Sequence, residues 1–168
     1  MKKYILNYSI LFAFLAILSG CKKENGDNNN GLEYATLTMN VNGVPFTSNK
    51  ANALFSSSAN TFIFSNTQES NKHAISVVSY LGYTINADYS INKNTIDAGS
   101  ISQAMFLRNG NAFDQFSFPI ISEKGYLNYR VVKKHTATSG DRFDVNFNGV
   151  VYASETDSVI ITNGTIRY

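Results

Sequence analysis

Cysteine is all but missing from this chain: Cys21 is the only one among 168 residues. A disulfide framework within the chain is thereby excluded, and so is any CxxC metal or redox site. Tryptophan is absent and proline occurs twice. Charged residues make up only 15% of the chain while aromatics supply 13%, a balance unlike that of a disordered polyelectrolyte. Charge of one sign is also lacking. Lys2 and Lys3 account for the whole excess of basic over acidic residues, so the chain after them is formally neutral. It offers no basic field to gather nucleic acid and no acidic field to gather cations.

Chemistry-bearing patterns are just as sparse. His73 and His135 stand far apart, with no HxH or HExxH spacing. There is no GxSxG elbow and no P-loop, so nucleophilic catalysis has no candidate residue. Asp88, Asp97 and Asp114 stand singly among polar neighbours, and a glycosidase pair would need loops to assemble it. His135, Asp141 and Asp144 lie close in sequence, but they read as a strand end followed by a charged turn. No metal, no cofactor and no enzymatic activity is expected from these residues.

What is present begins at the N-terminus. Lys2 and Lys3 precede the apolar run Ile10 to Leu18, whose nine residues suit a signal core and are too few to span a bilayer as a helix. Ser19-Gly20-Cys21 follows, and this Leu18-Ser19-Gly20-Cys21 stretch resembles the lipobox of bacterial lipoprotein precursors. The resemblance implies cleavage before Cys21, acylation of its thiol and usually of the new amine. Residues 1–20 are thus read as a lipoprotein signal peptide. Residues 21–31 are read as the lipidated Cys21 and a flexible tether, Lys22 to Gly31 having no apolar residue. As a coil such a tether reaches about 17 Å, and about 33 Å fully extended. The partner this implies is a membrane, at about 0.8 kcal/mol per buried CH₂. The expected location is the outer membrane, with the periplasmic and cell-surface faces both open.

Residues 32–168 show the period-two alternation of strands. Leu37, Met39 and Val41 share one face, and Asn42-Gly43 then supplies a hairpin turn, since both its positions need φ > 0. Val44-Pro45-Phe46 starts a strand, Pro45 marking an edge or a strand start. Leu54-Phe55 and Thr61 to Phe64 read as a pair around Ser57 to Asn60. Ala74 to Leu81 follows the polar loop Gln68 to Lys72. Gly82 to Gly99 reads as one short strand among loops, and Ser100 to Leu107 pairs with Ala112 to Phe118 around Arg108 to Asn111. Tyr126 to His135, Phe143 to Tyr152 and Ser158 to Tyr168 complete the series, with Gly149 read as an in-strand glycine at a bulge or close contact. Short strands at this spacing predict an all-β domain, an antiparallel β-sandwich or, alternatively, a small β-barrel.

Val41-Asn42-Gly43-Val44-Pro45-Phe46-Thr47 and Ile160-Ile161-Thr162-Asn163-Gly164-Thr165-Ile166 resemble the opening hairpin and closing strand of a group of Bacteroidota lipoproteins of unknown function. Phe147, Gly149 and Tyr152 resemble that group's penultimate strand. The resemblance implies a β-sandwich behind a lipid anchor and no established activity. Asp157-Ser158-Val159 resembles the D-S/T-apolar acceptor for O-glycosylation of exported Bacteroidota proteins, which makes Ser158 the candidate modified residue.

Three functions follow as expectations. The first is a non-enzymatic lipid-anchored module with a binding or structural role, its partner a glycan or an envelope protein. The second is an accessory glycan-binding lipoprotein, for which Tyr80, Tyr83, Tyr89, Tyr126 and Tyr129 would form a stacking row, although tyrosines at strand positions more often pack a core. The third is a hydrolase whose carboxylates are gathered from loops, within residues 82 to 99.

Overall fold

In the first strand every second side chain is withdrawn from water: Ala35, Leu37, Met39 and Val41 are buried while Thr36 and Thr38 are exposed. That two-sidedness repeats along the chain and curls the sheet around one core. The computed structural model describes residues 34–69, 71–97, 102–110, 115–118, 124–137, 140–154 and 156–168. Cys21, the tether and Asp114 lie outside them.

The described strands are β1 (Ala35–Val41), β2 (Val44–Ser56), β3 (Thr61–Asn66), β4 (Ala74–Ser79) and β5 (Asp88–Asn92), followed by β6 (Gln103–Leu107), β7 (Gln115–Phe118), β8 (Tyr126–His135), β9 (Arg142–Tyr152) and β10 (Ser158–Arg167). All ten belong to one sheet, in the order β10-β1-β2-β3-β4-β6-β7-β9-β8-β5, and β10 also pairs with β9. Each strand ladder is antiparallel. The chain is all-β, and its single sheet wraps almost into a barrel. β9 is the hub: β10 lines one of its edges, while β8 and then β7, at Ser117↔Tyr152, take the other.

Aromatic rings fill the interior where opposite walls meet. Phe62 on β3 lies 5.6 Å from Tyr129 on β8 and 5.4 Å from Phe143 on β9, centroid to centroid. Phe64 lies 5.2 Å from Phe147. Tyr83, from the segment between β4 and β5, packs edge-on against Phe143 at 4.5 Å and Phe55 at 4.9 Å. Offset and edge-on rings at such distances add to the area they bury.

The Asn42-Gly43 turn has φ of 50° and 82°, as its hairpin requires. Asn42 also fastens the turn to β10, its N–H donating to Ile160 O at 2.9 Å and its Oδ1 accepting from Ile160 N–H at 2.8 Å. The second hairpin pairs β6 with β7 from Leu107↔Gln115 onward.

Two segments differ from their sequence reading. Val44 and Leu54-Phe55 lie on one 13-residue strand rather than two. Its middle is polar outside and buries only the small Ser48, Ala51 and Ala53, which hides the alternation. β2 passes from β1 to β3 along its length, and Ala51 pairs with both, opposite Ala35 and Asn66. Pro45 sits in the first half, beyond the reach of the β3 ladder. The second difference is a short helix, α1 (Lys93–Asp97), in the expected loop. Asn92 caps it: Thr95 N–H donates to Asn92 Oδ1 at 3.2 Å and Asn92 N–H donates to Thr95 Oγ1 at 2.9 Å, the reciprocal pattern of a capping box.

The last strand carries a bulge. Ile161 opposes Gly149 and Gly164 opposes Phe147, so β10 holds one residue more than β9 across this interval. The same residue is extra against β1, between Thr38↔Thr165 and Asn40↔Thr162. Asn163 takes φ 51° there. At Gly164 a Cβ would stand 2.5 Å from Phe147 Cε2 and 2.6 Å from Phe147 O, so no side chain fits. At Gly149 it would meet Tyr126 O and come within 3.0 Å of Leu127 Cα, which accounts for the in-strand glycine.

Gly164→Ala is therefore expected to lower unfolding stability by about 1–3 kcal/mol, the range for overfilling a packed site. Thr162→Ala, on the exposed face of the same strand, should stay within about 0.5 kcal/mol of the parent. Urea midpoints of the two variants check this, and equal midpoints would contradict the packing at the bulge.

Candidate functional site

The residues singled out from sequence divide between core, ion pairs and surface. Tyr129 is buried, stacks on Phe62 and Tyr89, and donates to Ser79 Oγ at 2.7 Å and Gly82 O at 3.0 Å. Burial pushes its phenol well above the ordinary range. Tyr83 and Tyr89 also pack against the core, Tyr80 is half-buried, and only Tyr126 among the five stands largely open. Strand pairing draws Tyr129 inward and Tyr83 packs on Phe55, Phe62 and Phe143, so these tyrosines form no exposed row.

Among the described side chains the carboxylates are tied up singly. His135 Nε2 meets Asp144 Oδ1 at 2.9 Å, and the same oxygen accepts from Tyr168 N–H at 3.0 Å. Asp141 turns instead to Lys134, at 2.6 Å. Among the described residues no three His, Cys, Asp or Glu side chains gather as a metal site would require. Asp88 meets Arg130 through both carboxylate oxygens, with Arg130 Nε donating at 2.6 Å. That charge-assisted pairing holds the Asp88 carboxyl below its usual range. Glu69 is likewise held low, chiefly by Lys72 and then by Lys50 at 3.1 Å. Ser158 is the first residue of β10, half-buried and opposite Tyr152. Asp157 before it faces Arg108 at 3.5 Å.

One surface feature was not singled out from the sequence. On the outer face of β5, β8, β9 and β10 lies a groove of about 510 Å³. Register builds its two banks. Ser90, Asn128 and Asn148 lie opposite one another on β5, β8 and β9, and Asn163 of the bulge continues that bank. Asp88, Arg130, Asn146, Thr165 and Thr38 form the other across five strands. Between the banks the side chains of Tyr129 and Phe147 point into the core and Gly164 has none, so the floor is backbone.

Arg167 closes one end of the groove. It donates to Val145 O and Ile166 O at 2.8 Å each, and to Asn146 Oδ1. Thr38 and Thr165 share a hydrogen bond of 2.9 Å, and Asn128 Nδ2 donates weakly to Asn148 Oδ1 at 3.4 Å. The site is thus rich in amides, with two guanidinium groups and one carboxylate. Such a surface offers donors and acceptors side by side, and its one carboxylate among the described residues, Asp88, is paired with Arg130. A second hollow, of about 450 Å³ on the outer face of β2, β3, β4 and β6, has no charged side chain in its lining among the described residues.

The sequence did contain a signal for the groove. Asn128, Asn146 and Asn148 occupy the outward positions of strands whose inward positions are Leu127, Tyr129, Val145 and Phe147. What it lacked was the register that sets these strands side by side.

His73 offers a test of the surrounding packing. Its ring lies 5.2 Å from those of Phe46 and Phe106, and Nδ1 accepts from Asn109 N–H at 3.1 Å. Burial, and then the charge of Arg108, lowers its pKa below the usual value. The unfolded chain binds this proton near pH 6.5, about the free imidazole value, while the folded chain resists it. The stability that His73 contributes is therefore fully present above about pH 6.5 and is lost as pH falls toward the folded pKa. Urea midpoints from pH 7.5 down to 5 should fall less steeply in His73→Phe than in the parent, and identical slopes would contradict this.

Compared with protein-family models, curated proteins and solved structures, the chain matches none of them.

Proposed function

We propose that the protein is a non-enzymatic, lipid-anchored β module of the outer membrane, with a binding or structural role. The observation that carries the non-enzymatic part is the pairing of the carboxylates among the described side chains. Glu69, Asp88, Asp141, Asp144 and Asp157 each face a basic side chain. A general acid or base must be able to exchange its proton with a substrate, and at Glu69 and Asp88 the basic partners hold the carboxyl below its usual range. The amide-lined groove supports a binding role.

The anchored part rests on Lys2, Lys3, the apolar run Ile10 to Leu18 and Cys21. The resemblance of the Asn42-Gly43 hairpin and the Asn163-Gly164 strand to those of Bacteroidota lipoproteins supports it. Acyl chains on Cys21 hold the module to the membrane, and residues 22–31 space it from the headgroups. The partners proposed with it are the membrane and a glycan or envelope protein.

The test is Cys21→Ala, expressed in the native host and followed by membrane fractionation. The variant should leave the membrane pellet while the parent stays in it through a high-salt wash. A variant that stays in the pellet would contradict the anchor. Ser158 is proposed as an O-linked sugar acceptor on the strength of Asp157 and Val159 beside it. Intact mass from the native host should fall by one glycan in Ser158→Ala, and equal masses, apart from the lost oxygen, would remove that assignment.

A further inference from the structure

The groove on β5, β8, β9 and β10 has a chemistry narrower than polar. Its first bank presents amides with bonding capacity to spare: among the described residues Asn148 Nδ2 and the Asn163 side chain have no protein partner. An amide offers a donor and an acceptor side by side. Neighbouring hydroxyls on a sugar ring, each able to donate and to accept, match such groups one for one.

The charge of the groove narrows the ligand further. Arg130 is neutralised by Asp88 across the strand pair. Arg167 bonds only to neutral oxygens among the described residues, those of Val145, Ile166 and Asn146. Among the described residues one positive charge therefore remains beside the Asp88–Arg130 pair in a groove otherwise built of amides and hydroxyls. A neutral ligand leaves that charge facing water, and a carboxylate completes it. A single uncompensated guanidinium is too little for a nucleic acid backbone, whose affinity grows with the number of phosphates neutralised.

An apolar shelf adjoins the first bank. Tyr126 precedes Asn128 by two residues on the same face, about 7 Å along the strand, and is 38% exposed. Its cross-strand neighbour is Val150, and next to that comes Ile160, 49% exposed. The C–H face of a pyranose ring packs on a surface of this kind.

We propose that this groove binds an acidic glycan, with Asn148 and Asn163 on the sugar hydroxyls, Arg167 on the carboxylate and Tyr126 beneath a neighbouring ring. This deepens the binding role proposed above and rests on it. In the cell envelope the ligand would be a uronic-acid polymer or a similarly charged surface polysaccharide.

The test uses the full-length lipidated protein in detergent, with polygalacturonate as the probe in native affinity gels. The parent should be retarded, less so at high salt, and unaffected by dextran or by fully methyl-esterified polymer. Arg167→Gln and Asn148→Ala should each weaken retention by about tenfold or more, the effect of losing a charge-assisted or a doubly used hydrogen bond. Asn148 is exposed on the sheet surface, so this second variant stays informative if Arg167→Gln unfolds. Absence of retardation, equal retardation by the esterified polymer, or full retention in Asn148→Ala would overturn the assignment. Membrane retention through Cys21 is measured separately, so failure here leaves the anchored module standing and failure there leaves this groove.

Discussion

The architecture depends on one strand bonding along both of its edges. β10 pairs with β1 on one side and β9 on the other, which joins the start of the described chain to its end. The join holds only because β10 takes up its extra residue at Asn163-Gly164, where the Phe147 ring lies against a position with no side chain. Tyr168 reinforces it from just beyond the strand. Its hydroxyl accepts from Ala53 N–H at 3.0 Å on β2, and its N–H donates to Asp144 on β9. Without this seam β1 would be an open edge strand held through β2 alone, and the wall of the sheet would part between β1 and β10.

Curling the sheet sorts the side chains by parity. Phe62, Phe64, Tyr129, Phe143 and Phe147 go inward, and the residues between them on β8 and β9 go outward as Asn128, Arg130, Asn146 and Asn148. The groove is thus the reverse side of the core, and its floor is polar backbone because its inward neighbours are aromatic. The bulge that fits Gly164 to Phe147 also places Asn163 on the rim, so the seam and the candidate binding surface share two adjacent residues. The Asp88–Arg130 ion pair belongs to this outer layer, while Asp144, which meets His135, is buried.

The sequence made the alternation legible wherever large apolar and polar residues took turns, as in β1, β8 and β9. It failed along β2, where Ala51 and Ala53 are the inward residues and contrast is lost. The dipeptide Asn-Gly shows why local reading has a limit. At Asn42-Gly43 it makes a hairpin turn, at Asn109-Gly110 a 3₁₀ turn, at Asn148-Gly149 plain strand and at Asn163-Gly164 a bulge. The backbone freedom is the same at all four, and tertiary pairing selects the outcome. Long-range register likewise decided the fate of the tyrosines and assembled the groove, since Asp88 and Thr38 reach one bank from strands far apart in the chain. The capping pair Asn92 and Thr95 was local and visible, but five residues of helix leave no periodicity to notice.

Closure of the sheet between β1 and β10 underlies the core, the groove and the placement of both ends of the described chain. A designed disulfide measures it directly. Thr38 and Thr165 face each other across the seam with their hydroxyls 2.9 Å apart, and directly opposed antiparallel residues have Cα separations of about 4.5–5.5 Å, within disulfide range. In a Cys21→Ser background, Thr38→Cys with Thr165→Cys should oxidise within one chain, run faster on non-reducing gels and resist urea better than its reduced form. Two thiols that stay free under oxidant, or that link only between chains, would contradict the closed wall.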